Sequence, residues 1–256
     1  MAIHDPASDA MCWRVEAACL NAWPSSRQII LDGWLLRASG GPTRRLNSAN
    51  PLHRDAAASE PLIEAVEAFY QSLGRTPIFR VPDLAPSIDA LLAERGYAAD
   101  AHTRTLWADM ADLPTQPNES TETALIAHPD ARWLAARDRL SGNDDSACLA
   151  YRETVAAILL PCGFAMACQA GDIKAVAYGA LQGDLLIVES VVSDPAVRRQ
   201  GFARQCLSSL FGWARTQGAR AAALQVMADN VPALALYRGL GFMRDLYGYH
   251  YRIKRS

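Results

Sequence analysis

The chain alternates between stretches of helical and of strand period, and a similar order of stretches occurs twice. Residues 12–23 have helical character and stop at Pro24. Residues 28–38 and 44–51 are extended runs around Gly40-Gly41-Pro42, a hairpin signal. Across 59–73, Leu62, Ala65, Val66, Phe69 and Tyr70 recur at helical spacing. A short apolar strand follows at 77–81, then a helix at 86–95 closed by Gly96, then an alternating strand at 97–110. Residues 112–121 mix two prolines with polar residues and read as a linker.

The second half opens with a strand at 122–127 and two helices at 129–140 and 146–160. Strands follow at 163–170, 173–181 and 184–193, then a helix at 201–216, a strand at 221–227, a helix at 232–240 and a last extended run at 242–253. The two halves echo one another. A-L-L-A-E-R-G-Y-A-A-D at 90–100 resembles A-L-Y-R-G-L-G-F-M-R-D at 235–245, and the strand before each lies at nearly the same offset. This predicts two copies of one fold.

The 256 residues suffice for one large domain or two of ordinary size, and half of them are apolar. Net charge is −2, with 25 basic and 27 acidic residues intermixed, so no nucleic-acid partner is expected. The apolar stretch 156–168 is broken by Pro161 and Gly163 and is too short to span a membrane. No targeting peptide is evident, and the first ten or so residues are expected to be disordered. Six cysteines without a C-x-x-C pair fit buried free thiols in a cytoplasmic protein.

The chemistry concentrates between residues 191 and 242. In V-V-S-D-P-A-V-R-R-Q-G-F-A-R, at 191–204, an apolar strand enters a glycine-containing turn beside Arg198, Arg199 and Arg204, and a helix opens from it. Free backbone N–H groups and the positive end of the helix dipole attract an anion there. Arg198, Gly201 and Ala203 have R-x-x-G-x-A spacing, and residues 230–242 read N-x-P-A-x-x-L-Y-x-x-x-G-F. In this order and spacing the two motifs resemble the GNAT (general-control-related N-acetyltransferase) superfamily, closely over 121–256 and loosely over the first 115 residues.

The resemblance implies an α/β (α+β) fold of tandem GNAT-like mixed sheets flanked by helices. A degenerate N-terminal copy would occupy 1–115 and an acetyltransferase copy 121–256. The first copy has no R-x-x-G-x-A turn between 44 and 59 and is not expected to hold cofactor. The implied co-substrate is acetyl-CoA and the implied acceptor a primary amine of a small molecule or peptide. Attack on the thioester would be direct. A non-catalytic acyl-CoA sensor, a longer acyl group, and a monomer or homodimer all stay open.

The resemblance also assigns residues. The pyrophosphate would lie on Arg199, Gln200, Gly201, Phe202, Ala203 and Arg204, with Arg198 nearby. The pantetheine arm would run along Val191, Val192 and Ser193 as an added strand does. Strand parity puts Glu189, Val191 and Ser193 on one face. Tyr237 would protonate the departing thiolate, or is a core tyrosine. Asn230 would bond pantetheine, cap the following helix, or both. Glu189 would accept the amine proton or is a solvated carboxylate; His250 and Tyr249 are alternatives. Asp144 and Asp145 would attract an amine or cap a helix, and Trp133, Tyr151, Tyr249 and Tyr251 would line a pocket or fill the core. The phrase D-G-W-L-L-R-A-S-G-G-P-T-R-R-L-N-S-A-N at 32–50 resembles a signature of bacterial two-domain GNAT proteins. Its Arg37, Thr43, Arg45, Asn47 and Ser48 would form a domain interface and part of the acceptor pocket, or an internally bonded hairpin.

Overall fold

The computed structural model describes residues 6–117 and 122–254. A helix α1 (Pro6–Ala22) leads into β1 (Gln28–Leu31), β2 (Trp34–Arg37), β3 (Ala49–Pro51), α2 (Glu60–Ser72), β4 (Ile78–Pro82), α3 (Ser87–Glu94) and β5 (Tyr97–Asp109). The second half begins with β6 (Glu122–Ile126), α4 (Ala131–Ser141) and α5 (Asp145–Ala156). It continues with β7 (Cys162–Gln169), β8 (Asp172–Gln182), β9 (Leu185–Ser193), α6 (Phe202–Thr216), β10 (Ala221–Met227), α7 (Val231–Leu240) and β11 (Arg244–Lys254).

Among the described residues all strands form one mixed sheet, ordered β1-β2-β3-β4-β11-β5-β10-β9-β8-β7-β6. The unit of three antiparallel strands, helix, strand, helix, strand occurs twice, as β1 to β5 and as β7 to β11. In each unit the third and fourth strands run parallel on either side of a connecting helix. The last strands are exchanged. β11 inserts between β4 and β5, and β5 pairs with β10.

Strand alternation sorts the core into faces. Leu186 and Val188 of β9 pack with Phe202, Cys206, Leu207 and Leu210 of α6. Leu185 and Ile187, one step out of phase, pack with Val15 and Cys19 of α1. Farther along that second face, Phe164, Met166 and Tyr178 meet Trp133 of α4 and Tyr151 of α5.

Several expectations need correction. The N-terminus is helical from Pro6, not disordered through the first ten residues. Residues 28–38 are not one run: Asp32 and Gly33, at φ +46° and +81°, make a tight turn between β1 and β2. β2 and β3 do pair antiparallel around Gly40-Gly41-Pro42, but a 3₁₀ turn at Arg44–Leu46 fills most of the second expected run. Helix α5 stops at Ala156, short of 160. Part of the linker expected at 112–121 lies outside the described residues. All six cysteines are free; Cys148 and Cys162 are half-buried rather than buried.

Candidate functional site

The site grows from an interrupted strand. β9 pairs with β10 only as far as Val188 opposite Leu224. Beyond that point the two strands have no further ladder, which opens the β10-facing backbone edge of residues 189–193. On its other side β9 slips register against β8 between Glu189 and Val192, with Ser190 at φ +54°. An extra residue at this bulge turns the side chains after it.

The bulge overturns the parity expectation. Glu189 lies opposite Tyr178 and faces the α4 and α5 side, whereas Val191 packs into the α6 side. Val191, Val192 and Ser193 are half-buried along the opened edge.

At the end of β9, Asp194 caps a short 3₁₀ turn, Pro195–Val197. The chain then reverses through Arg199 at φ +64° and Gly201 at φ +89° into α6. Gly201 is the N-cap, no side chain caps the helix, and its first turn has no acid. The first intrahelical bond runs from Gln205 N–H to the Gly201 carbonyl, 3.0 Å. Helix geometry leaves the N–H groups of Phe202, Ala203 and Arg204 without intrahelical acceptors. Gln200 N–H donates to the Val197 carbonyl instead, 3.4 Å. Arg198 and Arg199 are exposed, and Arg204 donates to the Gly239 carbonyl of α7 at 2.6 Å.

The equivalent helix of the first half, α2, is occupied by its own chain. Ser59 accepts from Leu62 N–H at 3.4 Å, Glu60 adds a negative charge, and a proline sits in the first turn. That end is poorly suited to a phosphate.

Asn230 caps α7 by accepting from Ala233 N–H, 3.2 Å, leaving its amide NH₂ available. Tyr237 is 8% exposed and packs edge-on to Phe242. Burial pushes its phenol well above the ordinary tyrosine range, and the Glu189 charge adds to this. The phenol therefore stays protonated through neutral pH.

Glu189 is 6% exposed and is held by an N-terminal residue. Arg45 donates to both carboxylate oxygens, at 2.9 and 2.6 Å, while stacking 4.8 Å over the Trp23 ring. Burial works against the Arg45 charge, but Glu189 more than offsets it and the guanidinium titrates above its ordinary range. So Arg45 does join the two halves. Its neighbours make internal bonds: Asn47 donates to the Gly41 and Thr43 carbonyls. Arg37 donates to the Leu20 and Trp23 carbonyls at the C-terminal end of α1.

The other candidates have structural partners. His250 Nε2 lies 2.8 Å from Asp89, which also binds Arg252. Tyr249 lies under Arg80, whose guanidinium is 3.6 Å from the ring centroid. Asp144 caps α5 through Ala147 N–H, 2.8 Å, and Asp145 lies in that helix's first turn. Trp133 is core, donating to the Ala165 carbonyl at 3.0 Å. Sequence reasoning missed Arg137, Ser190 and Trp23, which surround Glu189 and Tyr151. A strand bulge and a stacked arginine leave no periodic signal.

A family profile described as "Probable histone acetyltransferase Rv0428c C-terminal" matches residues 10–252. The chain is 28% identical over 253 residues to "Uncharacterized N-acetyltransferase YobR" of Bacillus subtilis, covering 94% of this chain and 98% of that protein. It is 34% identical over 129 residues to "Probable histone acetyltransferase Rv0428c" of Mycobacterium tuberculosis, covering 50% of this chain and 39% of that protein. The fold matches a GCN5-related N-acetyltransferase from Kribbella flavida, with TM-score 0.69 and 18% identity over 95% of this chain and 96% of that one. It also matches a tandem GNAT protein from the clavulanic acid biosynthesis pathway, with TM-score 0.64 and 13% identity over 98% and 96%.

Proposed function

The chain belongs to the Rv0428c C-terminal acetyltransferase family of the GNAT superfamily, and from that premise we propose how its residues divide the reaction. As an N-acetyltransferase of this type it uses acetyl-CoA as co-substrate. Residues 121–256 would be the acetyltransferase copy and 1–115 the degenerate one. The observation that carries the site assignment is the uncapped, acid-free start of α6 at Gly201, facing the end of a strand pair that has come apart.

In this reading the diphosphate lies on the N–H groups of 201–204, with Arg198, Arg199 and Gln200 around it. The pantetheine amides pair with the opened edge of Val191, Val192 and Ser193, and the Asn230 amide adds a donor. The Val191 N–H faces the oxyanion that forms when the amine attacks the thioester carbon. As the carbon–sulfur bond breaks, the Tyr237 phenol protonates the thiolate. The amine proton passes to Glu189 through water. Arg45 occupies one lone pair on each Glu189 oxygen and leaves the others free to accept. The acceptor is a primary amine of a small molecule or peptide.

Titration of coenzyme A followed by calorimetry, together with thiol release from acetyl-CoA across a panel of amines, tests the reading. Binding with amine-dependent thiol release is expected. Binding without release on any amine would leave a sensor in place of an enzyme.

No helix among the described residues is long and apolar enough to cross a membrane.

A further inference from the structure

Beside the Arg45–Glu189 pair lies a group of buried polar atoms that the fold leaves unbonded. Arg137 of α4 has a side chain 9% exposed, and its Nε and Nη1 make no hydrogen bond. Its guanidinium lies over the Tyr151 ring, 3.5 Å from the centroid. The nearest carboxylate oxygen, Asp138 Oδ1, is 3.5 Å from Nη1 and is itself unbonded, while Asp138 Oδ2 is held by Arg152. The Trp23 indole N–H is also buried without a partner, and the buried Tyr151 and Ser190 hydroxyls have only one another within bonding reach.

These groups adjoin one another and Glu189. Trp23 and Tyr151 have ring centroids 5.7 Å apart, and Arg45 stacks on the same Trp23 ring. Burial pushes the Tyr151 phenol up, while the Ser190 hydroxyl and the Arg137 charge beside it work the other way. A buried polar atom left unbonded forfeits the hydrogen bonds it made to water. Several in one place point to a group from outside that completes them. Apart from Asp138 Oδ1, every one is an N–H donor or a hydroxyl that can donate. Their complement is an oxygen group that only accepts, and a carboxylate matches an arginine best. Charge agrees. Arg45 and Glu189 neutralise one another, and Asp138 is divided between Arg137 and Arg152. A second cation on the acceptor would be disfavoured here and an anion favoured.

We propose that this cluster anchors the carboxylate of the acceptor, that the acceptor is a compact amino acid, and that Arg137 sets this specificity. The proposal rests on the transferase reading above. Ser190 supplies the scale. It sits on the bulge next to Val191, where the thioester carbonyl is expected, so the anchored carboxylate and the reacting amine are separated by a short carbon spacer. An amine remote from its carboxylate does not span this arrangement.

The experiment compares compact amino acids with their decarboxylated analogues, alanine with ethylamine and serine with ethanolamine, by thiol release from acetyl-CoA. The readout is the ratio of kcat/KM within each pair. The wild-type ratio favours the amino acid, and Arg137→Gln collapses it about 10- to 100-fold through KM, the scale of a lost charged hydrogen bond. Arg137→Lys restores part of it. Tyr151→Phe removes one hydroxyl of the cluster while keeping the ring; it lowers the ratio by a smaller factor and guards against a folding defect in the first variant. A wild-type ratio at or below one, or a ratio retained by the Arg137 and Tyr151 variants, overturns the proposal. Coenzyme A binding with no turnover of any amine defeats the transferase reading itself, a separate result.

Discussion

Gly201→Ala separates folding from binding because α6 carries a matched control at its other end. Gly201 and Gly218 both sit at φ +89°, and a Cβ on either meets nothing within 4 Å. Alanine in the left-handed region therefore costs the same at both positions, about 1–2 kcal/mol of folding stability. What approaches each glycine differs. Gly218 follows the C-terminus of α6, and its N–H donates to the Arg215 carbonyl at 3.1 Å. Gly201 stands at the helix start, where a diphosphate oxygen must come within about 3 Å of the backbone nitrogens. A methyl there displaces the oxygen and weakens at least one charged hydrogen bond, worth about 1.5–3 kcal/mol. That corresponds to about 10- to 100-fold in Kd for coenzyme A. Denaturant unfolding and calorimetric titration of both variants provide the two numbers. Equal loss of stability, with loss of affinity in Gly201→Ala alone, is expected. Equal coenzyme A affinity in the two variants would refute the placement of the diphosphate at this turn.

Tyr237→Phe lowers kcat by about ten-fold or more with coenzyme A affinity little changed, because the thiolate loses its proton donor; unchanged turnover removes the role. Arg45→Met leaves Glu189 buried without its partner and costs about 3–5 kcal/mol of stability, which adding Glu189→Gln largely restores in a double-mutant cycle that includes Glu189→Gln alone. Additive losses would show that the pair is not coupled. Burial alone would raise Glu16, but Arg80 and Tyr247 more than offset it and hold the carboxyl below 4.5. A carboxyl depressed in the folded state stabilises above its unfolded pKa and loses that contribution as pH falls through the folded value. Unfolding midpoints should therefore decline below about pH 4.5, and the decline should flatten in Glu16→Gln; an unchanged slope would remove Glu16 from the acid response.

The second half was legible because its signals are local. The strand 221–227 was placed to the residue, and α6 and α7 to within one, since a glycine turn and an Asn-Val-Pro start announce where each helix begins. The β1–β2 turn had its own signal, Asp32-Gly33, but the nearby Gly40-Gly41-Pro42 drew the hairpin to itself. What could not be read depends on contacts distant in sequence. Nothing in the period of 185–193 marks the slip at Ser190, because a bulge is settled by the neighbouring strand. The meeting of Arg45 with Glu189 joins residues far apart in the chain. Arg137 reads as an ordinary solvated helix arginine until Tyr151 is seen against it.

The exchange of last strands explains why a first half without its own anion turn is still needed. β11 follows the helix bearing Tyr237, yet both its neighbours, β4 and β5, belong to the first half. β10, which forms one wall of the opened strand pair, has β5 on its other edge. Without the first half, β10 and β11 would present long unpaired edges, and Glu189 would lose the cation that binds both its oxygens. Arg45 reaches Glu189 from the 3₁₀ turn after β2, and the loop before that turn packs on α5, where Gly41 lies close to Ala150. The first half thus holds the α4–α5 side of the site against the bulged strand. That link runs through Arg45 and the loop at Gly41, and it needs no phosphate-binding turn at α2.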